Sequence, residues 1–318
     1  MRSAVFDLVM NYKQIPILQI SSLTPGGNER LDGMFNVIAH DALDAYRRQI
    51  RGLVTTGGVT VDAGLIERLP ALEVIATRGV GFDHIDLEAV RTRKIVVSNT
   101  PGVLTDCVAD LAVGAMIAVS RRLVVADHFV RSGGWLEGKF PLSNKVSGKR
   151  LGIVGMGRIG RAIARRAHGF DMDIRYFSRT RKSDCPETYA PVLEELAGWA
   201  DCLVVCAPGD HSTRHMISAA VLDALGSRGY LINVARGSLV DEQALIEALE
   251  QGRIAGAALD VFAREPRVPQ DLLTMDQVVL LPHIASSTVE TFAAMENLLL
   301  ENLQSYFTDG TLLTPVGG

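Results

Sequence analysis

The sequence predicts an α/β fold in two domains: a Rossmann-type dinucleotide-binding domain and a flavodoxin-like domain built on a parallel sheet. Three observations carry this reading. Short runs rich in Val and Ile alternate with helix-like segments along the 318 residues, the pattern of strands buried on both faces of a parallel sheet. That alternation pauses after "NTPG" at 99–102 and restarts at 151, in a chain long for one hydrophobic core and comfortable for two. Finally, the glycines of "GMGRIG" at 155–160 follow the apolar "LGIV" and open a helix-like stretch, the strand-turn-helix setting in which such glycines hold a dinucleotide.

Taken in order, "IPILQI", "MFNVI", "RGLVTT", "LEVIAT" and "KIVVSN" read as strands, and the segments 41–49, 61–69 and 87–92 as helices. "TPGG" at 24–27 and "TTGG" at 55–58 read as turns at strand ends. After Pro101 and Gly102 a helical run starts near Val103 and continues to about Arg131. Strands follow at 151–155, 172–177, 201–206, 230–234, 254–259 and 277–281, with helices at 158–169 and 240–251. "TVETFAAMENLLLENLQSYF" has helical periodicity and is expected to return to the first domain. Residues 1–100 with 289–318 are thus expected to form one domain, which binds substrate, and 101–288 the dinucleotide-binding domain.

Composition narrows the function classes. Hydrophobic residues at 47% and charged residues at 21% suit a soluble enzyme. A net charge of −4, dispersed along the chain, offers no general attraction to nucleic acid. No stretch has the length and purity of a membrane span; "VADLAVGAMIAVS" is short and carries Asp110. The N-terminus lacks the pattern of a signal peptide, so a cytoplasmic location is expected. Cys107, Cys185, Cys202 and Cys206 have no zinc-site spacing and read as buried free thiols, with no metal.

The glycines have separate tasks: Gly155 for the tight turn, Gly157 for close approach of the backbone to a pyrophosphate, and Gly160 for packing of helix on strand. The next strand, "DIRYFS", ends at Ser178 and is followed by Arg179, Thr180, Arg181 and Lys182. An NAD site places a carboxylate there for the ribose hydroxyls. A small hydroxyl leaves room for a 2′-phosphate, and Arg179 meets it with parallel donors. NADPH/NADP+ is therefore the expected cofactor.

Further polar residues fall where strands end, the place where open α/β sheets keep their chemistry: Arg236, Asp260, Glu265 and His283. An arginine, a carboxylate and a histidine suffice to reduce a carbonyl. Arg236 pins a substrate carboxylate, His283 donates a proton, and Glu265 orients the imidazole and raises its pKa.

The segments "RGVGFDHID", "NTPGVLTDCVAD", "GMGRIG", "INVARGSLVDE", "ALDVFAREP" and "LPHIASST" together resemble the D-isomer-specific 2-hydroxyacid dehydrogenases, and among these the NADP-type glyoxylate/hydroxypyruvate reductases. The resemblance implies Arg236, Glu265 and His283 as the catalytic set and Asp260 as a contact of the nicotinamide carboxamide. It implies cofactor contacts from Thr105, from Met156, Arg158 and Ile159 beside the glycines, from Ser178, Arg179 and Thr180, and from Cys206, Pro208, Thr213, Val234 and Ala235. It implies that the amides of Val80 and Gly81 share the substrate carboxylate with Arg236 and His283, and that the protein is a homodimer. Gly57, Gly58, Val80 and Gly81 would wall the substrate with backbone and small groups, which suits glyoxylate or hydroxypyruvate and does not forbid an aromatic 2-oxo acid. Phe82 reads equally as pocket wall or core, His84 as a turn residue, and Trp135 as a reach to a partner's site or an interface anchor. The formate-type relatives lack a glutamate in this loop. A nucleotide-sensing corepressor, the non-enzymatic alternative, is disfavoured by the lack of a peptide-docking extension.

Overall fold

The computed structural model describes residues 12–316; the first eleven residues, on which the leader expectation bears, lie outside them. The chain divides into two compact units, one running to Leu104 and resuming at Val289, the other Thr105–Thr288.

The first unit holds five strands, β1 (Pro16–Gln19), β2 (Asn36–Ala39), β3 (Gly52–Thr56), β4 (Val74–Arg78) and β5 (Val96–Ser98). They are parallel and ordered β2-β1-β3-β4-β5, the flavodoxin-like arrangement. Side chains alternate along each strand. Leu18, Leu53, Ile75 and Val97 fill one face, while Ile17, Val54, Val74 and Ala76 fill the other with Leu299, Leu303 and Phe307 of the C-terminal helix, Val289–Asp309. That helix, like the five strands, follows the periodicity of the sequence.

"TPGG" proves to be a helix start, not a turn. Thr24 caps the helix Pro25–Met34 by accepting from Gly27 N at 3.1 Å, and Pro25 occupies its first turn, where proline loses no bond. The helix around 41–49 is shorter than expected, spanning Leu43–Tyr46 after a 3₁₀ turn.

The second unit holds β6 (Arg150–Val154), β7 (Asp173–Phe177), β8 (Thr188–Tyr189), β9 (Cys202–Val205), β10 (Tyr230–Asn233), β11 (Gly256–Leu259) and β12 (Val278–Leu280). All are parallel, in the order β12-β11-β10-β9-β6-β7-β8. This is the Rossmann order with a seventh strand added at one edge. The direction of winding reverses between β6 and β9, which creates a crevice at the carboxyl ends of these two strands. The sequence reading passes over β8 and the seven-residue helices Leu193–Trp199 and Ala219–Leu225.

The long helical run is two helices, Thr105–Ser120 and Leu123–Arg131, because Arg122 takes a left-handed conformation with φ 51°. No residue of the second helix is buried within the chain. Of the four free cysteines only Cys202 is buried; Cys107, Cys185 and Cys206 are partly accessible. No helix among the described residues is long and apolar enough to cross a membrane. Nor do they contain a group of three or more His, Cys, Asp or Glu arranged to hold a metal.

Candidate active site

The candidate residues of the second unit lie just past the carboxyl end of a strand or in the loop that follows, except Arg158, Ile159 and Gly160, which open the helix Arg158–His168, and Thr105, which begins the helix Thr105–Ser120. Gly155 follows β6 with φ 105°, and a Cβ there would lie 2.7 Å from Ala207 N. A Cβ on Gly160 would strike the Gly155 carbonyl. Gly157 differs: a Cβ on it would meet no atom within 4 Å. It caps the helix Arg158–His168 without a side-chain bond, so the first amides of that helix, at Arg158 and Ile159, have no intrahelical acceptor and lie beside the open Gly157. A bare, uncapped helix N-terminus below an open glycine is an anion cradle, and these residues fit a dinucleotide pyrophosphate. Met156 is 1% exposed, so its side chain packs in the core and is not available to a ligand.

Cys206, at the end of β9, donates from Sγ to the Gly155 carbonyl at 3.1 Å, and burial pushes its thiol up to about 12. It is a neutral prop beneath the glycine turn. Pro208 is exposed, and its carbonyl accepts from Thr213. The Thr213 hydroxyl also accepts from Asp210 N at 2.8 Å, so it shapes this loop.

At the end of β7 the Ser178 hydroxyl donates to the Thr180 carbonyl at 2.7 Å, closing a tight turn. This turn presents Arg179, whose Nη1 lies 3.7 Å from Asp210 Oδ2 across the crevice. Asp210 is absent from the sequence reading, since nothing in its spacing links it to Arg179. The absence of a carboxylate at the end of β7, together with this exposed guanidinium, fits a 2′-phosphate.

β10 leads into Val234, Ala235 and Arg236. Asn233, 1% exposed, frames this turn: its Oδ1 accepts from Ala235 N at 3.0 Å and its Nδ2 donates to Arg236 O at 3.0 Å. Gly237 comes next, where a Cβ would overlap the Phe262 backbone. Gly237→Ala is therefore expected to lose roughly 1–3 kcal/mol of stability by overpacking, to be read from denaturant unfolding. An unchanged midpoint would mean that the Phe262 loop moves freely.

The loop after β11 brings the acid–base pair together. Asp260 is 1% exposed and accepts from Ile284 N and Ala285 N, both at 2.8 Å, while its carbonyl accepts from His283 N at 2.8 Å. Burial raises its pKa against the lowering effect of these amides. The sequence reading of Asp260 as a cofactor contact thus misses its grip on the histidine loop, which backbone spacing alone does not reveal. Held this way, His283 adopts a left-handed φ of 55°, an uncommon conformation for a non-glycine residue.

Glu265 accepts from Phe262 N at 3.0 Å through Oε1, and its Oε2 lies 2.7 Å from His283 Nδ1. The hydrogen bond to Glu265 raises the His283 pKa against desolvation, with Arg236 opposing it from nearby. Burial pushes Glu265 up, but the bond from His283, the amide of Phe262 and the charges of His283 and Arg236 outweigh it and hold the carboxyl below its ordinary value. The two shifts agree on a carboxylate–imidazolium pair. With Nδ1 committed to Glu265, Nε2 is the nitrogen left for a substrate.

In the first unit, Gly57 and Gly58 follow β3 and Val80 and Gly81 follow β4. Among the described residues, no group accepts from the amides of Val80 and Gly81. Phe82 is 37% exposed, which removes it from the core. His84 Nε2 lies 3.2 Å from Thr77 Oγ1 and braces the same turn.

Residues 113–285 match the model of the D-isomer specific 2-hydroxyacid dehydrogenase NAD-binding domain. The chain belongs to this family. A glyoxylate/hydroxypyruvate reductase A of Arabidopsis thaliana is 50% identical over 274 residues, 86% of this chain and 88% of that one. A hydroxyphenylpyruvate reductase of Plectranthus scutellarioides is 45% identical over 309 residues, 95% and 99% of the two chains. The crystal structure of an NADPH-dependent glyoxylate/hydroxypyruvate reductase from Sinorhizobium meliloti, in complex with NADP and malonate, superposes with a TM-score of 0.91 at 43% identity, over 96% of this chain and 97% of that one. As a 2-hydroxyacid dehydrogenase family member the protein carries its Rossmann unit where the family model lies.

Proposed function

We propose that the protein reduces glyoxylate or hydroxypyruvate to the D-2-hydroxy acid with NADPH. The observation that carries this reading is the 2.7 Å Glu265–His283 pair at the strand ends that also present Arg236; the names of its relatives support it.

In this reading residues 101–288 hold the cofactor and residues 1–100 with 289–318 supply substrate contacts. The glycine loop and helix start take the pyrophosphate, with Met156, Arg158 and Ile159 contributing amides. Ser178, Arg179 and Thr180 take the 2′-phosphate. Thr105, Cys206, Pro208, Thr213, Val234, Ala235 and Asp260 line the remaining cofactor path. When bound, the nicotinamide supplies a hydride to C2 of the oxo acid. His283 Nε2 gives its proton to the carbonyl oxygen as charge develops there, and Glu265 keeps the imidazole protonated until that moment. Arg236 offsets the growing negative charge and the carboxylate beside it. The amides of Val80 and Gly81 and the wall of Gly57 and Gly58 receive the substrate's carboxylate end.

The assignment is tested by following absorbance at 340 nm with NADPH and glyoxylate, hydroxypyruvate, pyruvate or phenylpyruvate. Consumption with none of them would overturn it. A second reading, an aromatic 2-oxo acid, is favoured by the Plectranthus relative and by the exposure of Val80 and Phe82 beside the substrate loop; faster turnover of phenylpyruvate would select it.

Arg179→Ala is expected to raise KM for NADPH about tenfold or more, the worth of a charge-assisted bond, and to leave KM for NADH nearly unchanged. Equal effects on both cofactors would remove the phosphate from Arg179. Homodimerisation through the second unit is part of the same proposal. It is supported by the exposed apolar side chains Leu123, Val124, Val130, Trp135, Leu136 and Leu142, all from residues 123–142 of this unit; where such side chains are contiguous they mark an interaction surface.

A further inference from the structure

Glu296 lies in the middle of the C-terminal helix and is completely buried. A buried carboxylate is costly unless paired and hydrogen-bonded, and this one is well supplied. Oε1 accepts from Thr24 N at 2.7 Å and from Arg78 Nη1 at 3.0 Å. Oε2 accepts from the Thr24 hydroxyl at 2.6 Å and from Arg30 Nη2 at 3.4 Å. The first turn of the helix Pro25–Met34 leaves room for it, since a Cβ on Gly27 would overlap the carboxylate. The Arg78 guanidinium is sandwiched on its other side, 4.3 Å from the Phe292 ring centroid one turn earlier on the same helix.

Stability alone does not account for this arrangement, because well-packed apolar residues serve a core as well as a buried ion pair does. What the arrangement fixes is Arg78, the last residue of β4. Directly after it the chain turns at Gly79, with φ 126°. Gly79 N donates to Thr100 Oγ1 at 2.9 Å, Thr100 N donates to Gly79 O at 2.8 Å, and Asn99 Nδ2 donates to Val80 O at 2.8 Å. The segment is thus clamped at its strand end by Glu296 and along its carbonyls by Asn99 and Thr100. Its two amides at Val80 and Gly81 remain available.

We infer that Glu296, acting through Arg78, is a positioning residue that holds the Val80 and Gly81 amides in the orientation that receives the substrate carboxylate. Neutralising Arg78 serves the same end: it prevents a bare guanidinium, 14% exposed at the base of the loop, from drawing the anion away from the amides. The inference rests on the reading that these amides bind the carboxylate of a 2-oxo acid.

Two readouts separate it from that reading. The first is hydrogen–deuterium exchange at the bonded amides that frame the segment, Gly79 N and Thr100 N, in Glu296→Gln and Arg78→Met, which needs no substrate. Both variants are expected to exchange these amides at least about fivefold faster than wild type, while the glycine loop at 155–160 is unchanged. The second is a KM-against-kcat split with glyoxylate: KM is expected to rise five- to twentyfold, with a smaller fall in kcat per active site and unchanged NADPH affinity. A merely structural role would lower the active fraction and the melting temperature without moving KM. If Glu296→Gln does not fold, Arg78→Met decides, since Glu296 keeps Thr24 and Arg30 as donors. Unchanged exchange and unchanged KM would overturn the inference. Faster exchange in a wild-type background that reduces no 2-oxo acid would overturn the functional reading and leave the positioning of the loop intact.

Discussion

His283→Ala is expected to reduce kcat by about 10²–10⁴-fold, the usual contribution of a positioned general acid, with NADPH affinity within a factor of two of wild type. The two outcomes separate because the imidazole is on the loop after β12, whereas the amides and Arg179 that would hold the phosphates follow β6 and β7. Little rearrangement should follow. The left-handed backbone at His283 is held by its own N–H to Asp260 O and by the Asp260 carboxylate on the next two amides. None of these bonds needs the imidazole, so alanine inherits the same support. Steady-state turnover measured beside a fluorescence titration of NADPH checks both parts. Turnover within a few-fold of wild type across the pH range would remove His283 from proton transfer. A parallel loss of NADPH affinity would make it a cofactor contact instead.

Much of this site is legible in the sequence because its parts are local. A strand, a glycine turn and a helix occupy consecutive residues, and the turn chemistry of "GMGRIG" needs nothing from elsewhere in the chain. Arg236, Glu265 and His283 are each marked by position at a predicted strand end. The pairing of Glu265 with His283, spanning 18 positions, is accessible because both belong to neighbouring strand-end loops of one sheet. What escapes are features fixed by distant partners. The helix Pro25–Met34 contains Pro25, Gly26 and Gly27, poor helix formers that read as a turn. It forms because Thr24 caps it and because Glu296, 272 positions later, packs against its first turn. Arg179 stands out in the sequence as a candidate for the 2′-phosphate, but its link to Asp210 depends on how two loops face each other across the crevice. The break at Arg122 is equally silent: two arginines after an apolar helix carry no breaker signal, and the left-handed turn is seen only in the backbone. Local chemistry is therefore readable, and tertiary supports of that chemistry are not.

Glu265→Gln should change the pH dependence of catalysis more than it changes the fold. In wild type the bond to Glu265 raises the His283 pKa, while burial and Arg236 act to lower it. Reduction requires the imidazolium, so its rate is full at low pH and falls as pH rises through this raised value. Glutamine removes the largest raising influence and leaves burial and Arg236, which lower the histidine pKa, opposed only by the charge of Asp260, so the pKa falls from its raised value. The falling limb of kcat/KM must then move to lower pH. At the acidic end the variant should approach wild type, and above the raised wild-type value it should be slower, by a factor of ten for each unit by which the pKa has fallen. Oxidation of the hydroxy acid uses the neutral imidazole as base, so its rising limb should move the same way, with activity appearing at lower pH than in wild type and a gain where reduction shows a loss. The two directions together are diagnostic, because a merely misplaced imidazole would slow both at every pH and leave the limbs where they are. If the limbs stay fixed, Glu265 orients His283 without setting its charge.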